Sequence, residues 1–119
     1  MRKMNEKMNG KRIYISGAIA HHDILERVKA FQRAADYITK KGGTPVNPFD
    51  NGVPADAVWR EHMKADIHTL TECDGILMLQ GWELSKGAKL EFDVATSCGL
   101  GVWCQCSRTE GSRMSVMKL

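Results

Sequence analysis

Glu91 occupies a helix position that the surrounding residues mark as apolar. With residues 85–98 read as a helix at ~100° per residue, Gly87, Ala88, Val94, Ala95 and Cys98 share one face, opposite Lys86, Lys89, Asp93 and Ser97, and Glu91 falls at the centre of that small, apolar face. A carboxylate aimed at a sheet is costly if ionised without a partner, so it is paired, protonated or used. Asp66 repeats the anomaly, lying within ~50° of the middle of a stripe formed by Trp59, Met63, Ile67 and Leu70, with His62 and Cys73 beside it. Two inward acids from separate helices suit chemistry at an acetal-like carbon, because burial and like charge drive their pKa values apart. In a retaining glycosidase the ionised member attacks the anomeric carbon and the protonated one assists the leaving group, across about 5 Å. The alternative is structural, each acid simply accepting hydrogen bonds from backbone or from His62.

Several elements must position these acids. Residues 11–16, with Ile13 and Ile15, read as a first strand that stops at Gly17. Asp23 is placed to cap a helix whose apolar positions are Ile24, Val28, Phe31, Ala34, Ala35 and Ile38, ended by Gly42-Gly43. Residues 44–46 form a brief second strand, and the Asn-, Gly- and Pro-rich residues 47–54 form a loop placed to serve as a lid. A second helix is expected from Asp56 to near Cys73, then an unbroken apolar strand over 75–79, the turn 80–83, the Glu91 helix, and a fourth strand over 102–106. This alternation predicts an α/β fold: a three-layer α/β/α sandwich, flavodoxin/Rossmann-like, with a four- to five-stranded parallel sheet and a ligand crevice at the carboxyl ends of its strands. Residues 1–10 are expected to be a flexible tail and 11–106 a single domain. The tail 107–119 lacks a clear period, which suits either disorder or docking on a partner subunit.

At 119 residues and 43% hydrophobic, the chain has enough apolar surface for one core and not two. The net charge of +3 gathers near the two ends and leaves the middle close to neutral, which argues against a nucleic-acid groove. No run reaches ~18 apolar residues and residues 1–10 contain no apolar signal core, so neither membrane association nor secretion is expected and the cytoplasm is the expected compartment. Cys73, Cys98, Cys104 and Cys106 lack the spacing of a zinc site or a disulfide framework and read as reduced, mostly buried thiols. His21-His22, and His62 with His68, are poorly spaced for shared coordination, so no metal is expected. Asp74 precedes the third strand, at the end of the sheet away from the crevice, where it caps or turns the chain. Trp59, Met63 and Trp103 could form an interface or belong to the core. Ser85 is a natural N-cap for the Glu91 helix, and the N–H groups near Gly87 and Ala88 would suit a phosphate, although these glycines match neither a P-loop nor a dinucleotide fingerprint. Trp82 could stack on a base or cover a strand end.

The run Ile13-Tyr14-Ile15-Ser16-Gly17, the Asp66-Ile67 helix followed by Cys73-Asp74-Gly75-Ile76, and Ser85-x-Gly87-Ala88-x-x-Glu91-x-x-x-Ala95 together resemble the nucleoside 2-deoxyribosyltransferase-like family, over residues 12 to about 104. The resemblance implies an enzyme acting on the N-glycosidic bond of a nucleotide or deoxynucleoside, by hydrolysis or base exchange, without a cofactor and as a homo-oligomer. It implies that Glu91 is the nucleophile at C1′, that Asp66 protonates or positions the base, and that Tyr14 orients the nucleophile. Ser16, Gly17, Ser85, Gly87 and Trp82 are then expected around the substrate. Six residues before the nucleophile the transferases carry an aspartate and the monophosphate hydrolases a phosphate-binding serine, as here. Those hydrolases also carry an arginine in the loop after the first strand, where this chain has Gly17-Ala18-Ile19-Ala20-His21-His22. A non-catalytic nucleotide-binding module and a small assembly protein with a vestigial pocket are the competing readings.

Overall fold

A computed structural model of the protein describes residues 7–106 and 114–119. Its elements in chain order are β1 (Arg12–Ser16), α1 (Ile24–Lys40), β2 (Thr44–Val46), a 3-10 turn (Pro48–Asp50), α2 (Trp59–Thr71), β3 (Gly75–Met78), a second 3-10 turn (Trp82–Leu84), α3 (Lys86–Ser97), β4 (Gly101–Gln105) and β5 (Val116–Lys118). The strands lie in the order β2-β1-β3-β4-β5, with β1 to β4 mutually parallel. This is the doubly wound, flavodoxin-like order, whose direction of winding reverses between β1 and β3.

The strand period of two assigns the layers. In β1, Ile13 and Ile15 pack with Phe31, Ala34, Ala35 and Ile38 of α1, while Tyr14 turns to the other face with Leu70 of α2 and with Ala88 and Ala95 of α3. β3 is buried on both sides, Leu77 facing α1 and Ile76 and Met78 facing α2 and α3. The expected three-layer sandwich is therefore present, with one helix on one face and two on the other.

Three features differ from the sequence expectation. The fifth strand is antiparallel: Val116–Lys118 pairs with β4, Trp103 opposite Lys118 and Cys104 opposite Met117. Three residues are too few to show a period, so this edge strand is invisible in a tail that suggested disorder or a docking segment. At the other end, Met8 lies in the core and Gly10 donates to the Gly42 carbonyl, although residues 1–10 read as a flexible tail; residues 1–6 and 107–113 of the two tails lie outside the described residues. The buried face of α1 runs Arg27, Phe31, Ala34, Ala35, Ile38, which keeps the helical period and leaves Ile24 and Val28 exposed. Arg27 is accommodated because its guanidinium lies over the Phe31 ring, 5.7 Å from the centroid, and Nη1 pairs with Glu26 at 3.2 Å.

Local signals hold better at some ends than at others. Ser85 caps α3 by accepting the Ala88 N–H at 3.1 Å, whereas Asp23 holds the cap position of α1 without a side-chain bond. α2 begins at Trp59 rather than Asp56, because Pro54 to Ala57 is closed into a turn by the Ala57 N–H on the Pro54 carbonyl. Asp74 accepts the Arg12 N–H at 2.8 Å at the amino end of β1, away from the crevice. All four cysteines are free, but only Cys73 is buried; Cys98 is exposed and Cys104 and Cys106 are half-buried. Met63 and Trp103 are core residues, which leaves Trp59 alone of the three considered for an interface.

Candidate active site at the carboxyl end of β1

Glu91 lies on the buried face of α3, between Ala88 and Ala95, and is 5% exposed. The two small residues bring the helix close to the sheet and so lower the carboxylate onto β1. There the strand alternation presents two hydroxyls on the same face, two residues apart. The Tyr14 hydroxyl donates to Glu91 Oε2 at 2.8 Å and the Ser16 hydroxyl donates to Oε1 at 2.6 Å. Tyr14 and Ser16 are both fully buried. Each carboxylate oxygen thus has its own short, charge-assisted donor.

Burial is the largest influence on Glu91 and raises its pKa to about 7, with the Ser16 and Tyr14 hydrogen bonds pulling downward and the charge of Asp66 pushing further up. A carboxyl group poised there is ionised often enough at neutral pH to act as a nucleophile. The Tyr14 phenol is raised well above its usual range, first by burial and then by Glu91 and Asp66, so it remains a proton donor throughout.

Asp66, in the middle of α2, is 8% exposed and also has a raised pKa, chiefly through burial, opposed by a hydrogen bond from Asn51 and by His62. Asn51 Nδ2 lies 3.0 Å from Asp66 Oδ1 and 3.2 Å from His62 Nδ1. Asn51 is the residue that sequence reasoning missed. Asn51-Gly52 signals a turn, and Asn51 Oδ1 does accept the Val53 N–H at 2.9 Å, but nothing local announces a bond to a helix residue fifteen positions on.

Tyr14, Ser16, Glu91 and Asp66 are therefore gathered together, with Ser16 bonded to the acid it was expected only to accompany. The remaining expected residues have visible structural duties. A Cβ on Gly17 would meet Leu79 Cβ at 3.0 Å, so the glycine permits the close approach of the chain leaving β3 to the chain leaving β1. A Cβ on Gly87 would meet Met63 Sδ at 3.3 Å, where α3 approaches α2. Trp82 stacks one face on Phe92, with centroids 4.7 Å apart and planes at 28°. Ser85 spends an acceptor lone pair on its helix but keeps its O–H for another partner. His21 and His22 are exposed, His21 at a positive φ of 68°. Among the described residues no group of three or more His, Cys, Asp or Glu side chains is placed to hold a metal, and no helix is long and apolar enough to cross a membrane.

Fold and site together define a doubly wound α/β protein with buried acids converging at the β1/β3 switch point. The chain belongs to the family described as Domain of unknown function (DUF4406), whose model matches residues 11–104. Among solved structures it is similar to the 2-desoxiribosyltransferase from Leishmania mexicana, with 22% sequence identity, a TM-score of 0.58, and coverage of 90% of this chain and 78% of that chain. At that identity the likeness shows the fold. No curated protein matches the chain.

Proposed function

We propose that this protein cleaves or exchanges the N-glycosidic bond of a nucleotide or deoxynucleoside through a covalent glycosyl-Glu91 intermediate. The observation that carries the reading is the Glu91 carboxylate, buried over the carboxyl end of β1 with a hydroxyl donor on each oxygen and a second buried acid within electrostatic reach. The named activity of the Leishmania neighbour, on the same fold, supports the same class of reaction.

In the first step a Glu91 oxygen forms a bond to C1′ as the bond from C1′ to the base nitrogen breaks. The bonding electrons leave with the base, and the proton held by Asp66 neutralises it. Tyr14 and Ser16 hold the attacking carboxylate in one orientation, which lowers the entropic part of the barrier. In the second step water or another base attacks C1′, the ester bond breaks, and Glu91 is regenerated; the entering nucleophile returns a proton to Asp66. Hydrolysis and base exchange share the intermediate and differ in what reaches it. The spare Ser85 O–H and the N–H groups at the start of α3 suit a substrate phosphate. We place the reaction in the cytoplasm.

The test is a panel of ribo- and deoxynucleosides and their monophosphates, with and without a second base, assayed for free or exchanged base. Release that disappears in Glu91→Ala supports the reading. Binding without release by the unmodified protein would instead establish a non-catalytic module, and neither binding nor release would favour the assembly role.

A further inference from the structure

We propose that Asn51 is the positioning residue of Asp66: its side-chain amide holds Oδ1 as a fixed acceptor and leaves Oδ2 as the oxygen that carries the proton towards the substrate. The proposal rests on the reading of Asp66 as the acid that serves the departing base.

The orientation of the amide follows from its partners. The Val53 N–H can only donate, so the atom facing it at 2.9 Å is the amide oxygen. The NH2 group then faces Asp66 Oδ1 and His62 Nδ1, two hydrogens for two acceptors. His62 Nδ1 must offer a lone pair, which puts the ring proton of the neutral side chain on Nε2. All three polar contacts of Asn51 are thus mutually consistent, and reversing the amide would set its NH2 group against the Val53 N–H, which has no lone pair to offer.

The segment carrying Asn51 is held at two places. Asn47 accepts the Phe49 N–H at 3.0 Å and so shapes the turn Pro48–Asp50, while the Phe49 ring packs edge-on against Phe31 of α1 with centroids 5.1 Å apart. The loop expected to be a lid is therefore pinned to α1 through Phe49 and to α2 through Asn51. The groups facing Asp66 are Asn51 from this loop, His62 on its own helix, and Glu91 and Tyr14 from the elements opposite. Of these, Asn51 is bonded to Asp66 directly, and its two remaining bonds fix where its donors point.

Two substitutions separate positioning from loop structure. Asn51→Asp keeps the size of the side chain and an acceptor for the Val53 N–H while replacing both donors by an anion; Asn51→Ala removes all three bonds. Carbon-13 carboxyl titration of the whole chain is expected to show Asp66 ionising at higher pH in both variants, more so in Asn51→Asp. Nitrogen-15 spectra of the unmodified protein at alkaline pH are expected to show His62 protonated on Nε2 only, a reading that needs no variant to fold. In the base-release assay kcat is expected to fall about 10²-fold, with KM changed far less. An unchanged Asp66 titration, or a proton on His62 Nδ1 in the neutral ring, would overturn the placement. Absence of base release with every substrate overturns the reaction proposed above, and the two spectroscopic readings still decide where the Asp66 proton resides.

Discussion

At the scale of single residues, the cost of burying Glu91 gives two measurable consequences. Its pKa is about 7 in the folded protein against an ordinary value of 4.5, so between those pH values the folded state holds a proton that the unfolded state has lost. Stability therefore declines as pH rises through this window, and the loss is complete once pH exceeds about 7. Glu91→Gln escapes the penalty. It should be about 3 kcal/mol more stable than the unmodified protein at pH 8 and differ little at pH 4.5, as measured by urea unfolding, while losing base release at both. Ser16→Ala removes a hydrogen bond that pulls the Glu91 pKa down. The ionised nucleophile should then form at higher pH, shifting the acid limb of kcat/KM upward and lowering activity about 3- to 10-fold at pH 7, with a smaller loss persisting above that limb because the carboxylate has lost one of its two orienting bonds. An acid limb that stays in place in Ser16→Ala would remove Ser16 from the set that tunes Glu91.

At the scale of elements, close approach governs the site. Helix α3 can lower Glu91 onto β1 because Ala88 and Ala95 flank it, and β3 can lie between β1 and β4 because it begins with a glycine. A Cβ on Gly75 would lie 2.5 Å from Trp103 Cζ3, 3.1 Å from the Gly101 carbonyl oxygen and 3.1 Å from Ile13 Cδ1. Trp103 is 4% exposed and has little room to move. Gly75→Ala should therefore cost about 1–3 kcal/mol and lower Tm measurably. A Tm equal to that of the unmodified protein would show that Trp103 yields. The same scale explains what could be read beforehand. Glu91 and Asp66 were legible because a helical period exposes a misplaced charge, and Tyr14 lay in a short apolar strand ahead of a glycine. Ser16 as a partner of Glu91 required knowing that β1 passes beneath α3. Asn51 required knowing where its loop lies against α2.

At the scale of the whole molecule, the three connections leaving β1, β2 and β3 all start at the edge of the sheet where the site lies. That rim carries large apolar side chains in solvent: Leu25 is 60% exposed, Val58 62%, Trp59 48% and Leu84 91%. A rim of this kind would suit a homo-oligomer whose copies meet beside the site. Sedimentation equilibrium should give the mass of a dimer or larger, and a combined Leu25→Lys and Leu84→Lys protein should shift towards the monomer. A monomeric unmodified protein at assay concentrations would rule out the homo-oligomer that the family resemblance implies.

The order of strands and helices, the doubly wound class and the burial of two acids followed from the chain alone, because each rests on local periodicity or on the short connections between neighbouring segments. The meeting of Glu91 with Tyr14 and Ser16 joins residues more than seventy positions apart, and no local pattern encodes such a distance. Folding supplied it by crossing a helix over a strand. The antiparallel fifth strand is likewise a consequence of the assembled sheet, since a three-residue segment acquires its conformation from the hydrogen bonds that the free edge of β4 offers.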